Sequence, residues 1–144
     1  MTSQPVPRPA DGGAYTYVGR VTPDYAPERD RNPDPGEIVW AWVPYEEDDR
    51  VGKDRPLVVI GRGQRSGQYV AFMLSSQDHA GDRGWVSLGS GAWDSDRRES
   101  WVRVDRPLGI DDGAVRREGA VLHRDRFTEL LSKARQERNG IEVD

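Results

Sequence analysis

The sequence predicts a mainly β domain, a small barrel or strongly curved sheet, packed against one C-terminal helix. Three observations predict it. Several short runs carry apolar side chains on both parities between Pro and Gly, the pattern of strands covered on both faces. These runs succeed one another closely, with glycine-rich punctuation, as strands of a small barrel do. Towards the C-terminus Phe127, Leu130, Leu131 and Ala134 recur at helical intervals.

In chain order, residues 1–34 hold Pro5, Pro7, Pro9, Pro23, Pro27 and Pro33 among mixed charges, the composition of a Pro-rich, flexible N-terminal tail. Tyr15, Tyr17, Val18 and Val21 alternate well enough for a short stretch of it to lie against the domain or a partner. The domain proper is expected over residues 35–144. Pro35-Gly36 makes a turn into a strand from Glu37 to Val43, which Pro44 ends. Tyr45 to Asp54 then reads as a long polar loop that delivers Lys53 and Arg55 to the next strand, Leu57 to Ile60. Pro56 starts that strand, where a missing ladder donor costs little, and biases Arg55 towards extended backbone just outside the sheet. Gly61 to Gly67 is a hairpin connection to a third strand, Tyr69 to Leu74, with Ser75 to His79 leaving its end.

Two further strands, Gly84 to Gly89 and Ser100 to Asp105, flank a Gly- and Asp-rich loop holding Trp93. Pro107 to Val115 reads as a connector with one helical turn that Asp111 caps. Glu118 to Leu122 adds a last short strand. The helix is expected from about His123 to Arg138, with Asn139-Gly140 as its stop.

The chain of 144 residues shows no repeat, so one domain with a tail is the expectation. It contains no cysteine, which removes disulfides, thiolate metal sites and thiol chemistry together. No apolar run approaches the length of a membrane span and the N-terminus has no signal-like apolar region, so a soluble, cytoplasmic protein is expected, with no membrane association. The formal net charge of -4 argues against a general electrostatic grip on nucleic acid, although an acidic total can hide a basic groove. Lysine occurs only at Lys53 and Lys133.

Arg55 stands at the mouth of a rigid strand, where a planar guanidinium can hold phosphate or carboxylate oxygens; the alternative is a surface pair with Asp48, Asp49 or Asp54. Ser75, Ser76 and Gln77 emerge where a buried strand ends and can face the same mouth, or simply bond local backbone. His79 lies beside Asp78 and Asp82, either of which can tune it as a proton donor or phosphate contact, unless the loop is merely solvated. The Asp/His spacing fits no metal-ligand signature and His123 is distant, so neither metal nor cofactor is expected. Trp85 and Trp93 border polar loops and can stack a base, or belong to the core with Trp40, Trp42 and Trp101. Arg83 joins Arg62, Arg65, Arg97, Arg98, Arg116 and Arg117 in a rim where acids are interspersed. No G-x-S-x-G elbow, Ser-x-x-Lys pair, phosphate loop or recognition-helix pattern occurs.

Pro35-Gly36-Glu37-Ile38-Val39-Trp40, then Gly52-Lys53-Asp54-Arg55-Pro56-Leu57-Val58-Val59-Ile60, then a strand ending Leu74-Ser75-Ser76-Gln77, taken together, resemble the MazF/PemK family of toxins from type II toxin-antitoxin systems. Ser100 to Asp105 and the C-terminal helix continue the likeness, which covers roughly Pro35 to Arg138. The resemblance implies a plug-type SH3-like barrel, usually a homodimer. It implies a metal-independent endoribonuclease acting on single-stranded RNA at short sequences and silenced by a cognate antitoxin protein. The family's arginine before proline falls on Arg55, and its Ser/Thr at the end of the following strand falls on Ser75. In such chemistry the RNA 2′-OH attacks the adjacent phosphorus; Arg55 would stabilise the phosphoryl oxygens, Ser75 would hold the phosphate in line, and Lys53 or His79 would assist the leaving 5′-oxygen. The contrasting expectation is a noncatalytic SH3-like interaction module that binds a partner protein or nucleic acid in the same mouth.

Overall fold

The computed structural model describes residues 5–22, 36–91, 96–137 and 141–143, and strands dominate it. In order they are β1 (Val6–Pro7), β2 (Ala14–Thr16), β3 (Gly19–Val21), β4 (Glu37–Pro44), β5 (Val51–Arg62), β6 (Gln68–Ser75), β7 (Trp85–Gly89), β8 (Ser100–Arg103), β9 (Leu108–Asp111) and β10 (Arg116–Val121). The helix α1 (Arg124–Glu137) and β11 (Ile141–Val143) follow.

Alternate residues of β4, β5 and β6 pack to opposite sides, and both sides are covered. Ile38, Val58, Ile60, Val70, Phe72 and Leu74 meet Leu122 and the α1 residues Phe127, Leu130, Leu131 and Ala134 in one cluster. Val39, Ala41, Val43, Leu57, Val59, Ala71 and Met73 meet Ala14 of β2 and Leu108 and Ile110 of β9 in the other. Double coverage is why these strands read as continuous apolar runs. Helix α1 contributes its i, i+3, i+4, i+7 stripe and leaves the intervening positions largely in water. Its first turn is helped by His123, whose Nδ1 accepts the Asp125 N–H at 3.3 Å.

The main sheet runs β10-β4-β5-β6-β8-β7, with β9 pairing both β6 and β2, β1 pairing β5, and β3 and β11 forming a separate parallel pair. The path has two ends and does not close on itself among the described residues.

Three expectations are corrected. The polar stretch before Leu57 is not a loop up to Asp54: β5 begins at Val51 and pairs Gly52 to Asp54 with Pro44, Val43 and Trp42, so Lys53 and Arg55 lie inside the strand. Val51 is the single apolar side chain of the stretch and shares its face with Lys53, so no alternation marks the strand. Gly52 is required there, because a Cβ would stand 2.1 Å from the Val43 carbonyl oxygen. Pro56 stands just outside the stretch where β5 has neighbours on both sides, a place where a missing donor is tolerated.

The connector after Pro107 begins as strand β9 and only then makes a 3-10 turn over Asp112–Ala114. Asp111 makes no side-chain capping bond; its carboxylate accepts from Tyr15 and Arg65 instead.

The described part of the supposed flexible tail is built into the fold. Trp42 Nε1 donates to the Val6 carbonyl at 2.9 Å, the Arg8 guanidinium lies 4.6 Å from the Trp42 ring centroid, and β2 pairs with β9. The alternation at Tyr15, Tyr17 and Val21 points to such a contact, with Tyr17 and Val21 buried and Val18 exposed, but strands of two or three residues among prolines are too short to be told from a tail. Residues 1–4 and 23–35 of that segment, Trp93, and the Asn139-Gly140 stop lie outside the described residues.

Candidate active site

The site exists because a ladder stops. β5 and β6 pair as far as Leu57 and Met73, after which β6 continues with β8, pairing Leu74 with Val102 and Ser75 with Trp101. Two residues beyond Leu57–Met73, the same antiparallel register sets Arg55 opposite Ser75, on the face that carries Leu57 and Met73. Where the strands part, two clefts open, of about 300 Å³ and about 290 Å³. Arg55, Ser75 and Gln77 line both, so they form the wall between them.

The first cleft is lined by Trp40, Lys53, Asp54, Ser76, Arg98 and Ser100 beside that wall. Lys53 and Arg55 are two residues apart in one strand and therefore share a face. The Arg55 guanidinium pushes the Lys53 ammonium below the ordinary lysine value, with burial adding to the effect. Arg55 itself is pushed down by burial, and the groups that act on it, Tyr45, Arg106 and Glu47, do so through charge at a distance. It keeps its proton at any working pH. Asp54 is engaged outside this cluster by Arg116 at 2.7 Å, so the expected alternative of an Arg55–Asp54 pair is not the arrangement found.

The second cleft is lined by Tyr45, Glu46, Glu47, His79, Trp85 and Arg106, together with Arg103. Here the side chains hold one another. Arg103 grips both oxygens of Glu46, at 2.9 and 2.8 Å, and bonds Asp105 at 2.7 Å. Its hydrogen bond holds the Glu46 carboxyl below the usual range. Arg106 donates to the Pro44 carbonyl at 2.9 Å and is pushed down by burial.

The loop from Ser76 to Gly84 folds back over this cleft. Asp78 accepts the Ala80 N–H at 2.8 Å, Asp82 N–H donates to the His79 carbonyl at 2.9 Å, and Val104 N–H donates to the Gly84 carbonyl at 2.8 Å. Gly84 has φ of 84° and no room for a side chain, since a Cβ would fall 2.2 Å from an Asp105 carboxylate oxygen. The loop so closed lays the His79 ring flat on Trp85, with centroids 3.6 Å apart and planes 2° from parallel. His79 Nδ1 lies 3.0 Å from Asp82 Oδ2, and its Nε2 lies 3.2 Å from Ser75 Oγ. Ser75 Oγ also accepts the Gln77 N–H at 3.1 Å.

Of the sequence-predicted residues, Lys53, Arg55, Ser75, Ser76 and Gln77 thus gather in the first cleft, and His79 and Trp85 join Arg55, Ser75 and Gln77 in the second. Arg83 is exposed and lines neither. Trp85 is no open platform: His79 covers one face and the Arg103 carbon lies 5.9 Å from the ring centroid. Of the two candidate partners for His79, Asp82 is the one bonded to it.

Arg103 and Arg106 were not anticipated. Arg106-Pro107 repeats the Arg55-Pro56 dipeptide, which was the available signal. The two clefts carry five cations, Lys53, Arg55, Arg98, Arg103 and Arg106, against the acids Asp54, Glu46 and Glu47. The acidic total therefore conceals a locally cationic site.

No curated protein matches the chain significantly. The family of PemK-like, MazF-like toxins of type II toxin-antitoxin systems matches it over residues 34–137, from before β4 to the end of α1 and including every strand that builds the clefts. The chain belongs to that family.

Proposed function

We propose that the protein is a toxin-type endoribonuclease that cleaves single-stranded RNA at short sequences, without a metal, by attack of the 2′-OH on the adjacent phosphate. The observation that carries this is that Arg55 and Ser75 together line both cation-lined clefts, on the wall the clefts share. A phosphodiester seated on that wall meets the Arg55 guanidinium for its equatorial oxygens and has the Ser75 hydroxyl beside its ribose 2′-OH, while its two flanking nucleotides enter separate clefts. Lys53, Ser76 and Gln77 supply further contacts on one side, His79 and Trp85 on the other, and Arg83 a distal contact with the RNA backbone.

The proposal extends to a cognate antitoxin that silences the site, a homodimeric SH3-like barrel and a cytoplasmic setting, and the family membership supports it. The test is incubation of the purified protein with a random-sequence single-stranded RNA pool in the presence of chelator. Fragments ending in a 2′,3′-cyclic phosphate and beginning with a 5′-OH are expected, and they should vanish with Arg55→Ala and Ser75→Ala at unchanged melting temperature. Intact RNA at high protein concentration would leave the noncatalytic interaction module in its place.

A further inference from the structure

Three groups from the end of β6 and the loop that follows it form a continuous hydrogen-bonded line that ends on the wall between the clefts. Ser75 closes β6, His79 lies in the loop beyond it, and Asp82 follows three residues later. A carboxylate can only accept, so in the neutral imidazole the proton sits on Nδ1 and Nε2 is the acceptor. Ser75 must then spend its proton on Nε2. Because Oγ already accepts from the Gln77 N–H, its remaining lone pair is directed to whatever enters the cleft.

We infer that His79, aligned by Asp82 and seated on Trp85, is the terminal acceptor of the attacking 2′-OH proton, which it receives through Ser75. The inference rests on the ribonuclease activity proposed above. It assigns His79 to the attack, rather than to the departure of the 5′-oxygen. As the 2′-oxygen–phosphorus bond forms, the 2′-OH proton passes to Ser75 Oγ and the Ser75 proton passes to His79 Nε2. The phosphorus–5′-oxygen bond breaks, and the departing oxygen takes a proton from the Lys53 ammonium in the other cleft. Lys53 suits that task because the neighbouring Arg55 charge makes its proton easier to lose. The net result is one imidazolium, one neutral amine, a cyclic phosphate and a free 5′-OH. In-line displacement needs attacking and leaving oxygens on opposite sides of phosphorus, and His79 and Lys53 line different clefts on either side of the shared wall.

The surroundings of His79 fit an acceptor that must become charged. Asp82 faces Nδ1 directly. Glu46 and Glu47, from the segment between β4 and β5, line the same cleft, as does Tyr45. The cations there are Arg55 of β5, Arg103 of β8, tied to Glu46 and Asp105, and Arg106, tied to the Pro44 carbonyl. Trp85 packs flat on the ring, so its π-face supports the imidazolium as it forms.

The experiment measures single-turnover cleavage of the random-sequence RNA pool, with chelator, over a range of pH. The wild-type rate should rise with pH and then level off, as a rate that depends on a general base does. His79→Gln should be slower by about 100-fold or more, the usual size of a general-base contribution, and should lose that rise. Asp82→Asn should give a smaller loss. The Ser75→Ala/His79→Gln double variant should be no worse than about threefold below the slower single one, as members of one relay are not additive. If His79→Gln disturbs folding, His79→Ala with added imidazole provides the second arm. The slot on Trp85 should admit the free base and restore cleavage without altering the melting temperature. A His79→Gln enzyme that cleaves within threefold of wild type with the same pH profile would overturn the relay and leave the ribonuclease intact. Wild-type protein that cleaves nothing in the pool would remove both.

Discussion

The two clefts beside Arg55 are nearly equal in volume and differently made. In the first, Lys53 and Arg98 stand beside small polar side chains, and Asp54, the one acid lining it, is drawn to Arg116. In the second, several side chains grip one another: Glu46 and Arg103, Arg103 and Asp105, His79 with Asp82 and Ser75, and the His79 ring with Trp85. A cationic surface among small polar side chains suits backbone phosphates, which need charge more than geometry. A mutually fixed network suits proton transfer, where tautomer and direction decide the rate. The wall they share is where the two demands meet.

The comparison can be broken hardest at the wall itself. Arg55→Ala should lower single-turnover cleavage by about 10³-fold, comparable to loss of a principal transition-state donor, with little change in melting temperature. Arg55→Lys should recover little of it, because a point charge does not reproduce the planar fork. Near-wild-type cleavage by either variant would mean that the phosphate sits elsewhere.

The second cleft alone should respond to Gly84→Ala. The residue's φ of 84° and its contact with Asp105 leave a methyl no place, so a loss of about 1–3 kcal/mol in denaturant unfolding is expected. Cleavage should fall with it, as His79 loses its seat, while equilibrium binding of single-stranded DNA, which lacks the 2′-OH, changes far less. Lys53→Ala should act through both binding and proton donation. Binding of that DNA should weaken several-fold, and the slope of log affinity against log salt should fall by about 0.7, the single-strand value for one phosphate contact. An unchanged slope would remove Lys53 from the phosphate path.

The smallest effect should come from Glu46→Gln. The Glu46 carboxyl is held below its ordinary value by Arg103, so its contribution to stability is present above the unfolded-state carboxylate pKa and is lost as pH falls through the lower folded-state value. Because Glu46 is exposed, the variant should cost no more than about 1 kcal/mol near neutral pH, and should flatten the acid side of the stability profile slightly. A larger cost would show that the Glu46–Arg103–Asp105 chain braces the whole second cleft.

Much of this architecture could be read in the residues. The double-sided apolar runs at Ile38 to Val43, Leu57 to Ile60 and Tyr69 to Leu74 specify strands that need cover on both faces, and Phe127, Leu130, Leu131 and Ala134 specify a helix that covers one of them. Periodicity is a local property, so it survives in the sequence. The same logic explains what was illegible. Val51 to Asp54 holds one apolar side chain, Val51, on the face that also carries Lys53, β2 and β3 are too short to have a period, and β9 was masked by the turn chemistry that follows it. Within the site, the Arg-Pro step and the Ser-Ser-Gln strand end are continuous motifs and could be found; the line from Ser75 through His79 to Asp82 could not be distinguished from a solvated loop.

Composition and order of residues were enough to require a small β domain with a helical cover, and to bring Arg55 and Ser75 forward as partners. They could not say that Asp82 rather than Asp78 holds His79, that Trp85 carries an imidazole on its face, or that Arg103 and Arg106 line the same cleft as Arg55. Each of those depends on where β6 leaves β5 for β8 and on how tightly Gly84 lets the loop return. Strand-forming tendency is written residue by residue, but the meeting of side chains from β5, β6, β7 and β8 is fixed only when the sheet registers are.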